Sequence, residues 1–168
     1  QESVSIPMIM AGPGTQRGTC VTPVSLIDLS ATIPAHFGAA FAGDGRSLAD
    51  IAASPADPDR AILSEYHAAG AVSGAFMLRK GRWKLKWYIG FPPELFDLAA
   101  DPEELTDLAA DPSHAATLAA MEGALRKRID PEAVDAQAFA DQAAMIARYG
   151  GREKALKLGA PSATPPPE

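Results

Sequence analysis

The sequence predicts an α/β chain, more narrowly an α+β fragment. A strand-and-helix opening leads into a small antiparallel four-stranded sheet, and helices close the chain. Three observations carry this reading. Residues 61–67, 75–79 and 83–89 are strand-like, and Trp83-Lys84-Leu85-Lys86-Trp87 alternates apolar with lysine, the period-two pattern of a half-buried strand. Lys80-Gly81-Arg82 joins the last two as a tight hairpin with glycine at the turn. Four Asp-Pro pairs punctuate the 168 residues, and the last two open stretches whose apolar residues recur at helical spacing.

Taken in order, Val4-Ser5-Ile6-Pro7-Met8-Ile9-Met10 is an apolar run closed by Ala11-Gly12-Pro13-Gly14, which predicts a buried strand entering a loop. Pro7 places it at an edge or a strand entry, because proline has no N–H for the ladder. Thr22-Pro23 predicts a helix start, with Thr as cap and Pro in the first turn. The helix runs toward Gly38, with Pro34 expected to kink or split it. Residues 39–59 read as loops with one short helix near Ser47–Ile51, and Glu94–Leu98 reads as the fourth strand. After Asp111, the stripe Leu118, Met121, Leu125 and Ile129 predicts an amphipathic helix ending in Arg126-Lys127-Arg128, where the helix dipole favours cations. After Asp130, Val134, Ala138, Met145 and Tyr149 form a weaker stripe that stops at Gly150-Gly151, and a Pro-rich extended tail follows.

Composition narrows the function classes. With 15 Lys+Arg against 21 Asp+Glu the net charge is −6, against the basic face that a nucleic-acid backbone binder needs. No apolar run approaches the roughly 18 residues of a membrane span, so no membrane partner is expected. The single cysteine, Cys20, excludes an internal disulfide and any multi-cysteine zinc or iron–sulfur site. The opening Gln1-Glu2-Ser3-Val4 has neither Met nor a signal-peptide pattern and reads as the interior of something longer. The lone cysteine favours the cytoplasm over the periplasm.

His36, His67 and His114 have no metal-ligand spacing, so no metal site held by this chain is expected. His114 reads as solvated in a first helical turn, and His36 as a structural helix residue. His67 ends a strand directly after Glu65-Tyr66 and precedes the Gly/Ala-rich run 68–74, a position where polar groups converge on a ligand. The alternative is that Glu65 and His67 merely share one face of an edge strand. Arg79, Lys80, Arg82, Lys84 and Lys86 form the densest positive cluster, suited to sulfate, phosphate or carboxylate. The competing reading is an exposed strand that must be polar and carries lysine as edge strands do. Trp83, Trp87 and Tyr88 read as sheet core. No set of residues for catalysis emerges from spacing.

The order of motifs adds a resemblance. Residues 4–14, then Thr22-Pro23-Val24-Ser25-Leu26-Ile27-Asp28-Leu29 and Asp44-Gly45-Arg46-Ser47-Leu48, resemble the last α/β segment of the sulfatase family in the alkaline phosphatase superfamily. Ser64-Glu65-Tyr66-His67, Met77–Lys84, and Pro93–Leu98 through Asp101-Pro102-Glu103-Glu104 to Asp107-Leu108-Ala109 are similar to that family's C-terminal subdomain. The likeness covers about residues 3–112 in the right order. Glu65-Tyr66-His67 and Asp130–Asp135 lean toward choline-sulfatase-like and arylsulfatase-like members.

The resemblance implies three parts: 1–59 as the last strand and helices of an incomplete sulfatase α/β domain, 60–130 as a C-terminal subdomain, and 131–168 as a helix with a Pro-rich tail. It implies sulfuric ester hydrolysis in the full-length enzyme, with a formylglycine nucleophile and Ca2+. Cys20 has Thr22 and Val24 where the formylglycine motif requires Pro and Arg, and the family's metal ligands lie N-terminal to the matched region. The fragment alone is therefore expected to be inactive. Its expected partners are the upstream catalytic portion and a small sulfated ester, with His67 and Glu65 as pocket wall and Arg79 or Lys80 behind them. Phosphonate or phosphate ester hydrolysis, or a non-catalytic binding or homo-oligomerisation module, are the alternatives.

Overall fold

The computed structural model describes residues 6–12, 15, 17–68 and 71–158. The elements are α1 (Leu26–His36), α2 (Leu48–Ala53), β1 (Ile62–Tyr66), β2 (Ala75–Lys80), β3 (Trp83–Tyr88), β4 (Glu94–Asp97), a 3-10 turn (Pro112–His114), α3 (Ala115–Arg126), α4 (Pro131–Arg148) and α5 (Arg152–Leu158). The strands form one antiparallel sheet in the order β1-β2-β3-β4. This is the sheet that the period-two pattern predicts, with β1 and β4 as its edges.

The register fixes two faces. Leu63, Phe76, Leu78, Leu85 and Leu95 point one way, and Met121 and Leu125 of α3 close over them to make the buried core. Burying each such side chain contributes about 1.5–3 kcal/mol, which is why the 118/121/125 stripe drives α3 onto the sheet. Lys80 pairs with Trp83, so Gly81 and Arg82 form a two-residue turn. Gly81 has φ +58, as glycine at the first turn position of a type II′ hairpin requires. A Cβ there would also run into the Asp59 carboxylate.

Helix α4 begins as expected: Asp130 accepts the Ala133 N–H at 3.1 Å, Pro131 sits in the first turn, and Val134 packs against the core. The Asp111 carboxylate likewise accepts the Ser113 N–H, and caps the 3-10 turn that leads into α3. Pro34 lies inside α1 without splitting it, because it stands two residues from the C-terminal end, where one lost hydrogen bond is tolerated.

Three expectations need correction. Residues Ile6–Met10 form no strand, and Ile9 is 90% exposed, because no described strand offers them a ladder. The helix expected from Thr22-Pro23 starts at Leu26 instead. Asp28 at the third helical position accepts the Ser25 N–H at 2.8 Å, so Ser25 is the cap. Thr22 is used elsewhere, its hydroxyl accepting the Asp57 N–H at 2.8 Å. The chain also turns helical again after Gly150-Gly151 as α5. Residues 4–5, Pro13-Gly14, and the Pro-rich tail lie outside the described residues.

Asp28 is the hub of the first sixty residues. It is fully buried and accepts both Arg60 guanidinium nitrogens (2.7 and 2.8 Å) and the Arg46 N–H (2.9 Å) besides Ser25. Burial pushes its pKa up, but these hydrogen bonds outweigh burial and the pKa is lowered. The opposite side of α1 has no such anchorage: Leu26, Leu29, Ile33 and Phe37 form an exposed apolar stripe at helical spacing.

Candidate functional site

Glu65 and His67 stand at the C-terminal end of edge strand β1, two residues apart and therefore on the same face. His67 Nε2 lies 3.4 Å from Glu65 Oε2, and the ring packs edge-on to Phe76 at 5.3 Å. Behind the ring stands Gly74, where a Cβ would lie 2.9 Å from His67 Cε1, 3.0 Å from Asp135 Oδ1 and 3.1 Å from His67 Nδ1. The Gly74 N–H donates to Asp135 Oδ1 at 2.5 Å, and Gln142 Nε2 donates to the His67 carbonyl at 3.2 Å. The void among these residues is only about 20 Å³, room for one water. The Nε2 side of the ring faces Glu65, the more exposed of the two side chains.

Arg79 and Lys80 do not join them. Glu65 pairs with Phe76, so Arg79 and Lys80 lie three and four residues further along β2, about 10–13 Å away. Arg79 is on the opposite sheet face, between Ile62 and Lys84, and its Nε is buried with no hydrogen-bond partner among the described residues. Lys80 lines an open cleft of about 410 Å³ with Asp59, Trp83 and α3 residues Ala116, Thr117, Ala120 and Met121.

The rest of the positive cluster is committed to structure. Lys84, 3% exposed, donates to both Glu104 carboxylate oxygens at 2.7 and 2.9 Å. Lys86 bridges Glu94 (3.2 Å) and Glu104 (3.3 Å) and lies 4.4 Å over the Phe96 ring. Burial would raise the Glu104 pKa, yet the hydrogen bonds from Lys84 and Lys86 prevail and it falls to about 2. Glu104 adopts φ +59, the left-handed region that costs a non-glycine residue about 1 kcal/mol, which its buried ion pair offsets. Arg82 forks onto Asp97, which holds the Asp97 carboxyl below its usual range.

Trp83 and Trp87 pack against the core as expected, but Tyr88 falls on the other face. His36 is exposed at the end of α1, edge-on to Phe37, rather than built into the structure. His114 is half-buried between Trp83 (5.7 Å) and Asp111 (3.1 Å) rather than fully solvated. Asp135 and Gln142 contact the His67 segment across 61 and 75 residues, a relation with no local signal in the sequence. Cys20 is exposed. Among the described residues, no three His, Cys, Asp or Glu gather into a metal cage. The residues present therefore do not fit the calcium-and-formylglycine equipment that the family resemblance implies. Among the described residues, no helix is long and apolar enough to cross a membrane.

No protein-family profile matches the chain. Arylsulfatase K of Mus musculus is 34% identical over 116 residues, covering 61% of this chain and 21% of the relative. Choline-sulfatase of Rhizobium meliloti is 33% identical over 105 residues, covering 60% of this chain and 20% of the relative. The solved structure of a 2-O GAG sulfatase superposes with a TM-score of 0.61 at 28% identity, covering 71% of this chain and 28% of that one. The chain thus spans about a fifth of the length of the curated relatives it matches. Over some three fifths of its length, its sequence is similar to the curated sulfatases, and its mixed α/β fold is similar to a portion of the solved one.

Proposed function

We propose, with that sulfatase likeness as the premise, that this chain is the C-terminal portion of a sulfuric ester hydrolase, packing beside a catalytic portion that supplies the nucleophile and metal. The observation that carries the reading is the agreement of two comparisons: sequence relatives at about a third identity and a structural neighbour that are both sulfatases. The exposed stripe Leu26, Leu29, Ile33 and Phe37 supports it, because such a surface is the kind that a neighbouring part of the fold covers. In this arrangement β1 contributes a wall of the substrate pocket. His67 Nε2 and Glu65 are the polar groups offered to a small sulfated ester, while Arg79, on the opposite sheet face, takes no part in this wall. The 168 residues by themselves give no hydrolysis, since Cys20 lacks its motif and no metal cage forms among the described residues.

The test is expression of the longer reading frame and assay on nitrocatechol sulfate beside a phosphonate monoester and an aryl phosphate. Turnover of the sulfate ester above the other two is expected, with a raised KM in His67→Ala. A longer protein whose formylglycine is confirmed by mass spectrometry, yet is inert on a broad sulfate panel, overturns the proposal. Preferential cleavage of the phosphonate or phosphate moves it to the phosphoester branch of the superfamily.

A further inference from the structure

We infer that helix α4 is a positioning element for His67, acting through Asp135 and Gln142 at the ends of two hydrogen bonds to the 67–74 segment. This rests on the reading of His67 as a pocket-wall residue and adds what holds it there. A histidine at the exposed end of an edge strand has two free side-chain torsions, and the backbone beyond it is a Gly/Ala-rich connection. Left alone, such a ring would sample several orientations. Here three contacts remove that freedom. Gln142 donates to the His67 carbonyl and pins the backbone at the strand's exit. Asp135 accepts the Gly74 N–H and pins the re-entry into β2. Gly74 then forms the back wall: only the absence of a Cβ lets His67 Cε1 and Nδ1 and the Asp135 carboxylate occupy the same few ångströms.

Phe76 holds the ring edge-on from the core side, so His67 is enclosed on its Nδ1 edge and turns its Nε2 edge toward Glu65. The carboxylate–amide bond is the stronger of the two tethers, since a hydrogen bond to a charged acceptor is worth roughly twice a neutral one. Asp135 is one residue after Val134, which packs against the core and, with buried Pro131, anchors the first turn of α4, so the carboxylate sits on a fixed base. Asp135 touches no predicted ligand site itself; its effect on the pocket passes through Gly74 and the ring.

The experiment has two readouts. In the 168-residue chain with 15N-glycine and 13C-histidine labels, Asp135→Asn and Asp135→Ala are compared with the parent by NMR. The Gly74 amide and the His67 Cε1–H resonances are expected to move, while Gly81, in the turn at the other end of the β2–β3 hairpin, stays in place and reports an intact fold. In the longer enzyme, the same variants are expected to raise KM for nitrocatechol sulfate roughly three- to tenfold with kcat preserved, the size of one lost hydrogen bond. Asp135→Glu restores part of the loss. Gly74→Ala, which puts a Cβ against both the His67 ring and the Asp135 carboxylate, is expected to shift the same histidine resonance. Unmoved Gly74 and His67 resonances in both Asp135 variants overturn the inference. A His67→Ala enzyme with unchanged KM overturns the pocket-wall reading instead, and the resonances still decide whether Asp135 fixes the ring.

Discussion

Replacing Glu104 by glutamine isolates the most consequential charge in the sheet. The side chains of Glu104 and Lys84 are 6% and 4% exposed, and two hydrogen bonds join them. Glu104→Gln keeps the shape and removes the charge, leaving a buried ammonium with only a neutral amide and so an uncompensated charge in the low-dielectric face. Removing one partner of such a pair costs about 3–5 kcal/mol. The protonation equilibrium of Glu104 points the same way. The Glu104 pKa falls from 4.5 to about 2, a shift that corresponds to a contribution on the order of 3 kcal/mol. Because the folded-state value is the lower one, this contribution is fully present above pH 4.5 and is lost as the pH falls through about 2.

Urea denaturation followed by circular dichroism at pH 7 reads the first quantity, as a midpoint lowered by about 1.5–2.5 M for an m-value near 2 kcal/mol/M. Repeating it down to pH 2.5 reads the second, since the gap between parent and variant must narrow steadily below pH 4.5. Lys84→Met combined with Glu104→Leu removes both charges and is expected to recover most of the loss. A Glu104→Gln midpoint within about 0.5 kcal/mol of the parent, or a gap that does not depend on pH, refutes the reasoning.

Asp28→Asn breaks the fork to Arg60 and is expected to cost about 3 kcal/mol, with hydrogen exchange rising first across residues 22–60; uniform exchange would show that Asp28 is not their hub. Gly81→Ala places a Cβ at φ +58 against Asp59 and is expected to destabilise by about 1–2 kcal/mol in thermal melts; an unchanged midpoint would show that the turn does not need glycine. Charging the exposed stripe with Ile33→Lys and Phe37→Lys is expected to lower hydrophobic-dye binding by the 168-residue chain while leaving its melting midpoint nearly unchanged; unaltered dye binding would place the sticky surface elsewhere.

What the sequence alone determined is what depends on neighbours within a few positions. Alternation in Trp83–Trp87 set the faces of β3, glycine at position 81 set the hairpin, and the Asp130-Pro131 pair with the stripe through Met121 and Leu125 set the ends and faces of the helices. Glu65 and His67 were likewise legible, because two residues apart on a strand means one face. Only the tertiary structure decided where charges find partners and where apolar runs find cover. Asp28 meets Arg60 across 32 positions, Glu104 meets Lys84 across 20, and Asp135 meets Gly74 across 61. The run Ile6–Met10 has the composition of a buried strand, yet it pairs with no strand and stays exposed, because a strand is completed by the hydrogen bonds of its neighbours and composition cannot supply them.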